Sequence, residues 1–346
     1  MPTADHAPFP WFAEILSALV ARRELATEQI SLLFDSMLSG QLGDGEIAAF
    51  LTGMRMKGET AGELAAAAKV LRQRMQPFET GRDDLLDTCG PGGDGLGTFN
   101  ISTTAAIIAA GAGVEVVKHG NRAVSSRSGS ADVLAELGLP VEDGVGWAKQ
   151  CLQRAGLAFC FAPQFHPAMK QMGPLRRRLG VRTMLNLLGP LANPARAAYQ
   201  LLGVCTSDLL DPIAGALAQL GVRQAYVVCG CDGMDEVTLC GTTSYRRVHQ
   251  GRVTGGEWSP GDFALEPCSA AELRATSPAE SARIIRSILA GEDGPAARVA
   301  VANAAAALFT AERAKNLRDG VQRSREAIRS GRAAHVLESM RLTNGG

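Results

Sequence analysis

The chain has 346 residues, enough to bury a large hydrophobic core, and we expect it to divide into two domains. Lys plus Arg and Asp plus Glu both number 35, and this zero formal net charge argues against nucleic acid as the main partner. The longest apolar runs, near 105–114 and 304–309, are too short to span a bilayer. Eight scattered cysteines and no secretory leader predict a cytosolic protein with reduced thiols and no membrane partner.

The first 76 residues predict helices only. Apolar residues recur at helical spacing over 12–20 and 30–38. Thr60 and Glu63 form a capping box that opens a further helix. Residues 77–82 (PFETGR) are typical of a hinge.

From Leu85 onwards the pattern predicts an α/β domain. Short β runs at 85–89, 114–117, 157–161, 200–205 and 225–229 alternate with helical segments. This alternation indicates a central, largely parallel sheet. The segment 167–191 is helical and carries no β signal, and the tail from residue 280 predicts Ala-rich helices.

Two polar loops follow the first two β runs. The first, 90–95 (GPGGDG), leads through Asn100 into an Ala/Ile-rich helix, and the second covers 118–130 (KHGNRAVSSRSGS). Backbone N–H groups and helix N-termini attract phosphate, and glycine lets the backbone approach closely. The two loops therefore predict a site for a ligand with more than one phosphate.

The first loop also fits the G-x-G-x-x-G pattern of dinucleotide-binding proteins, and an ordinary glycine turn is a further alternative. Glu115, twenty positions after Gly95, opens the next predicted strand, whereas a ribose-binding carboxylate belongs at a strand's carboxyl end. Asp94 would also place a negative charge inside a pyrophosphate cradle. A diphosphate site that works with a metal explains Asp94 better.

Adjacent carboxylates at Asp235 and Glu236 follow the last predicted β run. Such a pair suits Mg²⁺, which takes few protein ligands, although an exposed acidic turn is the commoner interpretation of two neighbouring acids. Cys229 and Cys231 have no second pair at zinc spacing, so zinc is not expected. Arg176 lies in a basic helical cluster, which is typical of a solvated face, yet a guanidinium also binds carboxylates well.

These blocks together resemble the anthranilate phosphoribosyltransferases, which join anthranilate to phosphoribosyl pyrophosphate. The matching residues, in chain order, are 87–94 (DTCGPGGD), 100–103 (NIST), 118–122 (KHGNR) with 125–126 (SS), 161–163 (FAP) with His166, Arg176, 186–191 (NLLGPL) with 193–194 (NP), and 235–237 (DEV). The chain departs at Pro91, where the family usually has Thr. Proline has no N–H, so a ligand contact through that amide is absent here.

The resemblance implies a small helical domain, residues 1–76 with a returning segment at about 167–191. It implies a larger α/β domain, 83–166 and 192–346, that binds phosphoribosyl pyrophosphate. It also implies Mg²⁺, with two ions per subunit, and a homodimer formed through the helical domain. The implied reaction gives N-(5-phosphoribosyl)anthranilate and pyrophosphate in tryptophan biosynthesis.

The resemblance assigns roles to individual residues. Lys118, Asp235 and Glu236 would be catalytic, and the metal ligands would be Ser102, Asp235 and Glu236. Anthranilate would contact Gly90, His119, Asn121, His166 and Arg176, although His119 could equally be a packed core histidine. The residues implied for phosphoribosyl pyrophosphate are Gly90, Gly93, Asp94, Thr98, Asn100, Ile101, Ser102, Thr103, Lys118, His119, Gly120, Asn121, Arg122, Ala123, Val124, Ser125, Ser126 and Ser130.

Two alternatives to this function are open. A pyrimidine nucleoside phosphorylase would share the fold and the lysine loop, but Asn121 and the pair Ser125 and Ser126 argue against it. A non-enzymatic nucleic-acid-binding relative would be expected to lose the glycine loop and the acidic pair and to carry excess positive charge. This chain keeps both motifs and is neutral.

Overall fold

A computed structural model describes residues 9–123 and 128–344 of the chain. It begins with four helices: α1 (Pro10–Val20), α2 (Thr27–Leu38), α3 (Asp44–Lys57) and α4 (Ala61–Arg74). The capping box predicted from the sequence opens α4, where Thr60 Oγ1 accepts from the Glu63 amide and Glu63 Oε2 accepts from the Thr60 amide. The buried Glu63 carboxylate also binds Lys57 Nζ at 2.7 Å and the Leu25 amide at 2.9 Å, which fixes α3 against α4.

Seven strands form one sheet in the order β3-β2-β1-β4-β5-β6-β7. The strands are β1 (Leu86–Cys89), β2 (Val116–Gly120), β3 (Leu157–Phe161), β4 (Tyr199–Gly203), β5 (Gln224–Gly230), β6 (Thr243–His249) and β7 (Arg252–Trp258). The first five pair in parallel, and β6 and β7 are antiparallel. The predicted, largely parallel sheet is confirmed. The chain runs outward from β1 to β3 and then returns to β4 beside β1, so a crevice is expected at the carboxyl ends of these strands.

Helices cover both faces of the sheet. The remaining helices are α5 (Ile101–Gly111), α6 (Ser130–Glu136), α7 (Gly144–Ala155), α8 (Ala162–Phe165), α9 (Gly173–Leu179), α10 (Met184–Leu191), α11 (Leu210–Gln219), α12 (Pro260–Phe263), α13 (Pro278–Leu289), α14 (Pro295–Thr310), α15 (Leu317–Arg329) and α16 (Arg332–Arg341). One buried core joins the sheet to α5, α14 and α16. The second core extends from α1–α4 through α10 and α11 to the opposite face of β4 and β5. Residues 184–191 therefore pack with the N-terminal helices.

The structure differs from the sequence-based prediction in two strands. We predicted strand 114–117 with a polar loop from Lys118, but β2 begins at Val116 and continues through Gly120, paired with β3 along its length. Lys118 and His119 are thus strand residues, because their side chains find buried polar partners that the sequence alone does not show. The hairpin β6–β7 was not predicted, since β7 is largely exposed before the buried Trp258 at its end and lacks an alternating apolar pattern. No helix in the described parts of the chain is long and apolar enough to cross a membrane.

Candidate active site

Three segments meet at the carboxyl edge of the sheet: the loop after β1, the end of β2 with the loop that follows, and the turn after β5. Lys118, at 4% exposure, links the first two. Its ammonium donates to the Thr88 carbonyl oxygen and to Ser102 Oγ, the latter at 3.2 Å. Ser102, in the first turn of α5, donates its amide to Glu236 Oε1 at 2.9 Å and so adds the third segment. The residues predicted to be catalytic are therefore brought to one place.

A buried carboxylate lies beneath Lys118. Asp87 accepts from the His119 amide at 3.2 Å and from Asn193 Nδ2 at 2.8 Å. Burial raises the pKa of Asp87, and the charge of Lys118 opposes that rise. Asp87 and Asn193 belong to the matched motifs but were given no role from the sequence. Their hydrogen bonds fix the end of β2 against β1.

The acidic pair is held tightly by its backbone. A Cβ on Gly203, at the end of β4, would lie 1.6 Å from the Asp235 carbonyl oxygen, so only glycine allows this approach. Asn303 of α14 accepts from the Val237 amide at 2.9 Å and donates to the Val237 carbonyl at 2.8 Å. Asp235 and Glu236 are consequently fixed in a rigid turn between the sheet and α14.

The environment of the pair favours a cation. Both side chains keep some solvent exposure, but dense protein surrounds their carboxyl groups. This desolvation raises the pKa of Asp235 to about 7, with the neighbouring Asp94 adding to the rise. Desolvation, followed by the charge of Asp235, raises the pKa of Glu236 to about 8. Neither residue is largely exposed, and Glu236 Oε1 accepts from the Ser102 amide, so the pair is not a solvent-exposed acidic turn.

The donor set fits Mg²⁺. Asp94 Oδ2 is buried, has no hydrogen-bond partner among the described residues, and lies beside the acidic pair. In residues 9–123 and 128–344, no three His, Cys, Asp or Glu side chains are grouped to hold a metal ion by themselves. A hard cation that keeps waters and substrate oxygens in its shell needs only two carboxylates and a hydroxyl, as Asp235, Glu236 and Ser102 provide.

A residue that we did not predict supports the glycine loop. Arg182, just before α10, donates to the Pro91 carbonyl oxygen at 3.2 Å and contacts the Gly93 carbonyl oxygen at 3.4 Å and Cys205 Sγ at 2.9 Å. The charge of Arg182 also opposes the raised pKa of Asp235. The polar contact at position 91 thus uses the carbonyl group, which proline retains. Arg182 was missed because nothing in its local sequence points to residues 91–93.

The two polar loops are joined by Asn100. Its Oδ1 accepts from Ser128 Oγ of the second loop and from Ser281 Oγ of α13, each at 2.9 Å. Nearby, Thr98 pairs with Arg274 in an isolated antiparallel bridge. The first loop is therefore held by the second loop and by the C-terminal helices.

The other residues predicted to bind phosphoribosyl pyrophosphate lie along α5 and the second loop. Ile101 and Thr103 are buried. The Ile101 amide donates to the Phe99 carbonyl, whereas Thr103 Oγ1 has no hydrogen-bond partner in the residues that the structure describes. Asn121 Oδ1 accepts from the Arg122 amide, and Ser130 Oγ donates to the Asn121 carbonyl. Gly120 lies close to Ser130, and Arg122 and Ala123 both contact Asp132. Val124, Ser125 and Ser126 lie outside the described residues.

The residues predicted for anthranilate form two groups. The rings of His119 and His166 are 5.0 Å apart, and His119 Nδ1 lies 2.9 Å from the Gly189 carbonyl oxygen. Within the described part of the chain, His119 Nε2 and both ring nitrogens of His166 are buried without hydrogen-bond partners. Burial lowers the pKa of His119 to about 3 and that of His166 to about 4, so both rings are neutral.

Arg176 lies on α9. Its side chain is half-buried, and burial lowers its pKa. In the parts of the chain that the structure describes, no acidic side chain forms an ion pair with it and no hydrogen bond joins it to His119, His166 or Asn121. A partly desolvated guanidinium without an acidic partner suits an anionic ligand. Gly90, by contrast, is packed against the Gly203 carbonyl oxygen, 2.8 Å from where a Cβ would lie.

Comparison with known proteins identifies the family. Residues 13–75 match the helical bundle domain of the glycosyl transferase family, and residues 82–334 match its a/b domain. An anthranilate phosphoribosyltransferase from Anaeromyxobacter sp. (strain Fw109-5) is 46% identical over 334 residues, which cover 96% of this chain and 99% of the relative. The chain belongs to the anthranilate phosphoribosyltransferase family. The resemblance drawn from the sequence motifs is thereby confirmed.

Other members of the family are similar to this chain in sequence and in structure over nearly its whole length. The anthranilate phosphoribosyltransferase of Desulfatibacillum aliphaticivorans is 43% identical and covers 95% of this chain and 97% of its own. The crystal structure of the family member from Thermus thermophilus has a TM-score of 0.88 at 37% identity, covering 95% of this chain and 98% of that one. The enzyme from Saccharomyces cerevisiae in complex with PRPP and Mg has a TM-score of 0.87 at 27% identity, covering 96% and 97%.

Proposed function

We propose that this chain transfers the phosphoribosyl group of phosphoribosyl pyrophosphate to the amine of anthranilate, in tryptophan biosynthesis. The products are N-(5-phosphoribosyl)anthranilate and pyrophosphate. One observation carries the proposal: Lys118, Ser102 and the acidic pair 235–236 are linked to one another between two polar loops, at the edge of the sheet where α/β proteins bind ligands. Relatives that carry this activity in their names align over nearly the whole chain.

The leaving pyrophosphate would lie beside Lys118 and the acidic pair. Asp235, Glu236 and Ser102 would hold Mg²⁺, with two ions per subunit, and the bound metal would neutralise charge on the departing pyrophosphate. Lys118 and the backbone amides of the glycine loop would stabilise the same charge, which grows as the bond to the ribose breaks. Desolvation raises the pKa values of the two acids although the charges of Arg182 and Lys118 oppose the rise, and a further cation bound here would favour their charged forms.

The ribose and its 5-phosphate would bind between the first and second polar loops, which Asn100 joins. We assign this binding to the residues that the family resemblance implies. The aromatic amine of anthranilate is unprotonated at neutral pH, so no strong base is needed to activate it. The anomeric carbon would become oxocarbenium-like as the amine attacks from the side opposite to pyrophosphate. The protein's main contribution is then electrostatic stabilisation and positioning.

Two different groups of residues would bind the ring and the carboxylate of anthranilate. Neutral His119 and His166 would face the aromatic ring, together with Asn121 and Gly90, because uncharged imidazoles present a flat and weakly polar surface. Arg176 would bind the carboxylate, since its guanidinium lacks an acidic partner among the described residues. Closure between α9 and the sheet would bring the two groups together over the substrate.

We further propose the division into a small helical domain, 1–76 with about 167–191, and an α/β domain, 83–166 and 192–346. The shared core of α1–α4 and α10 supports this division. We also propose a homodimer through the helical domain, from the family resemblance, and a cytosolic location, from the composition of the sequence. The eight cysteines are free in the structure, which is consistent with a reducing compartment.

The decisive experiment follows the fluorescence of anthranilate. It should disappear when the protein, phosphoribosyl pyrophosphate and Mg²⁺ are combined, and persist when any one is omitted. The same protein should not cleave thymidine or uridine in the presence of phosphate. Cleavage of either nucleoside without consumption of anthranilate would favour the phosphorylase alternative instead.

A further inference from the structure

One acidic side chain outside the motifs ties together both ends of the second polar loop. Asp132, in the first turn of α6, accepts through Oδ2 from the Ala123 amide at 2.8 Å and from the Gly129 amide at 3.1 Å. These amides lie before and after residues 124–127. Its other oxygen, Oδ1, accepts from Arg122 Nη1 at 3.0 Å. A single carboxylate therefore fixes the base of the loop and one of its cations.

The base of this loop is also closed by backbone packing. A Cβ on Gly129 would lie 2.3 Å from the Ala123 amide nitrogen and 2.7 Å from the Asn121 carbonyl oxygen, so the two chain segments pass in direct contact. The Ala131 amide donates to the same Asn121 carbonyl at 3.2 Å. The conformation of the loop ends is thus set before any ligand binds.

A second acid competes for the same guanidinium. Arg122 also forms an ion pair with Glu142, which precedes α7. The Asp132 side chain is only 20% exposed and makes three hydrogen bonds, whereas that of Glu142 is 58% exposed. Among the described residues, Arg122 is the only hydrogen-bond partner of the Glu142 carboxylate. The two acids therefore act differently on one arginine.

We propose that Asp132 is a positioning residue for phosphoribosyl pyrophosphate and that Glu142 holds Arg122 aside until a substrate phosphate displaces it. The inference rests on the proposed function, in which the second loop binds that substrate. An ion pair with a largely exposed partner contributes little, because water solvates both charges. A phosphate, with charge-assisted bonds of about twice the usual strength, readily replaces such a partner. Asp132 keeps its hydrogen bonds to the backbone throughout and orients the guanidinium of Arg122 toward the phosphate.

The two acids should therefore have opposite effects on substrate affinity. Glu142→Gln removes the competitor, and we expect the KM for phosphoribosyl pyrophosphate to fall about two- to fivefold. Asp132→Asn keeps the size of the side chain but loses its charge, and we expect the same KM to rise at least about fivefold. Neither change should alter the KM for anthranilate by as much as about twofold, because neither acid faces that substrate.

The test measures both KM values and kcat for the full chain with Mg²⁺, using Asp143→Asn as the matched control. Asp143 is also exposed, lies next to Glu142 and makes no side-chain capping bond, so its loss should leave every constant unchanged. At roughly 1 M salt, where the screening length is about 3 Å, the gain from Glu142→Gln should vanish.

The outcomes separate the two proposals. Absence of anthranilate consumption by the unchanged protein would overturn the proposed function. An active protein in which Glu142→Gln leaves the KM for phosphoribosyl pyrophosphate unchanged or raises it would overturn this inference alone. Loss of folding in Asp132→Asn, measured by thermal unfolding, would still leave the Glu142 result to decide.

Discussion

Arg182 Nη2 donates to the Pro91 carbonyl oxygen at 3.2 Å, so a residue from the segment before α10 anchors the first glycine loop. The same guanidinium contacts the Gly93 carbonyl and weakens the rise in the pKa of Asp235. Because α10 packs with the N-terminal helices, Arg182 connects the helical core to the proposed pyrophosphate site. The substitution of proline for the usual threonine leaves this connection intact.

Pro91→Thr should change the affinity for either substrate less than threefold, which corresponds to about 0.65 kcal/mol. The contact at this position is made by the carbonyl group, and proline mainly restricts the turn. Titration calorimetry with phosphoribosyl pyrophosphate and Mg²⁺ measures the difference. A tenfold gain in affinity for the threonine variant would show that the missing amide matters.

Arg182→Lys should raise the KM for phosphoribosyl pyrophosphate about tenfold, because an ammonium cannot reproduce the divergent contacts of a guanidinium. The matched control is Arg178→Lys. Arg178 lies in the same segment but is exposed and pairs with Asp44. Steady-state kinetics that show equal effects for the two variants would refute the role of Arg182.

Glu236→Gln should lower kcat by on the order of 100-fold, because it removes one charge from the proposed Mg²⁺ site beside the leaving pyrophosphate. Excess EDTA should abolish the activity of the unchanged protein. Glu266→Gln, at an exposed position far along the chain, serves as the control for loss of one negative charge. Full activity in EDTA would exclude a metal requirement.

Arg176→Ala should raise the KM for anthranilate about 10- to 150-fold and that for phosphoribosyl pyrophosphate far less. The expected loss is a charge-assisted carboxylate contact of ~1.5–3 kcal/mol. The neighbouring Arg177→Ala is the control, since Arg177 is exposed. Equal increases in both KM values for Arg176→Ala would assign this arginine to the phosphates or to the fold.

The sequence predicted most of the fold, and its short motifs supplied the residues of the candidate site. Helical periodicity located α1 and α2, and the residues around Lys118, Ser102 and Asp235 were identified from contiguous motifs. The sequence did not reveal Arg182, Asp132 or Asn303. Arg182 and Asn303 contact residues that are distant in the sequence, and the Asp132 side chain contacts backbone amides, which no motif predicts. The extension of β2 through Gly120 was missed for a related reason. A lysine usually indicates an exposed loop, and only the structure shows that Thr88 and Ser102 accept hydrogen bonds from the buried Lys118.

The buried histidines predict how stability depends on pH. The folded-state pKa values of His119 and His166, about 3 and about 4, lie below the usual 6.5 of an unfolded chain. Between pH 6.5 and about 4 the unfolded chain therefore binds more protons at these two histidines, and their contribution to the free energy of unfolding falls as the pH falls. Asp235 and Glu236, whose pKa values are raised to about 7 and about 8, contribute with the opposite sign in this range. At pH 5 each histidine should lower the free energy of unfolding by roughly 2 kcal/mol, because pH 5 is 1.5 units below 6.5 and each unit corresponds to about 1.36 kcal/mol. Above pH 6.5 the penalty should be absent.

His166→Asn should consequently raise the free energy of unfolding at pH 5 relative to its value at pH 6.5, compared with the unchanged protein, as measured by urea denaturation without substrates. The asparagine cannot take up the proton that destabilises the folded state. His335→Asn, at an exposed position on α16, is the control and should leave the slope unchanged. An identical slope for His166→Asn and the unchanged protein would mean that His166 is protonated as readily in the folded state as in the unfolded chain.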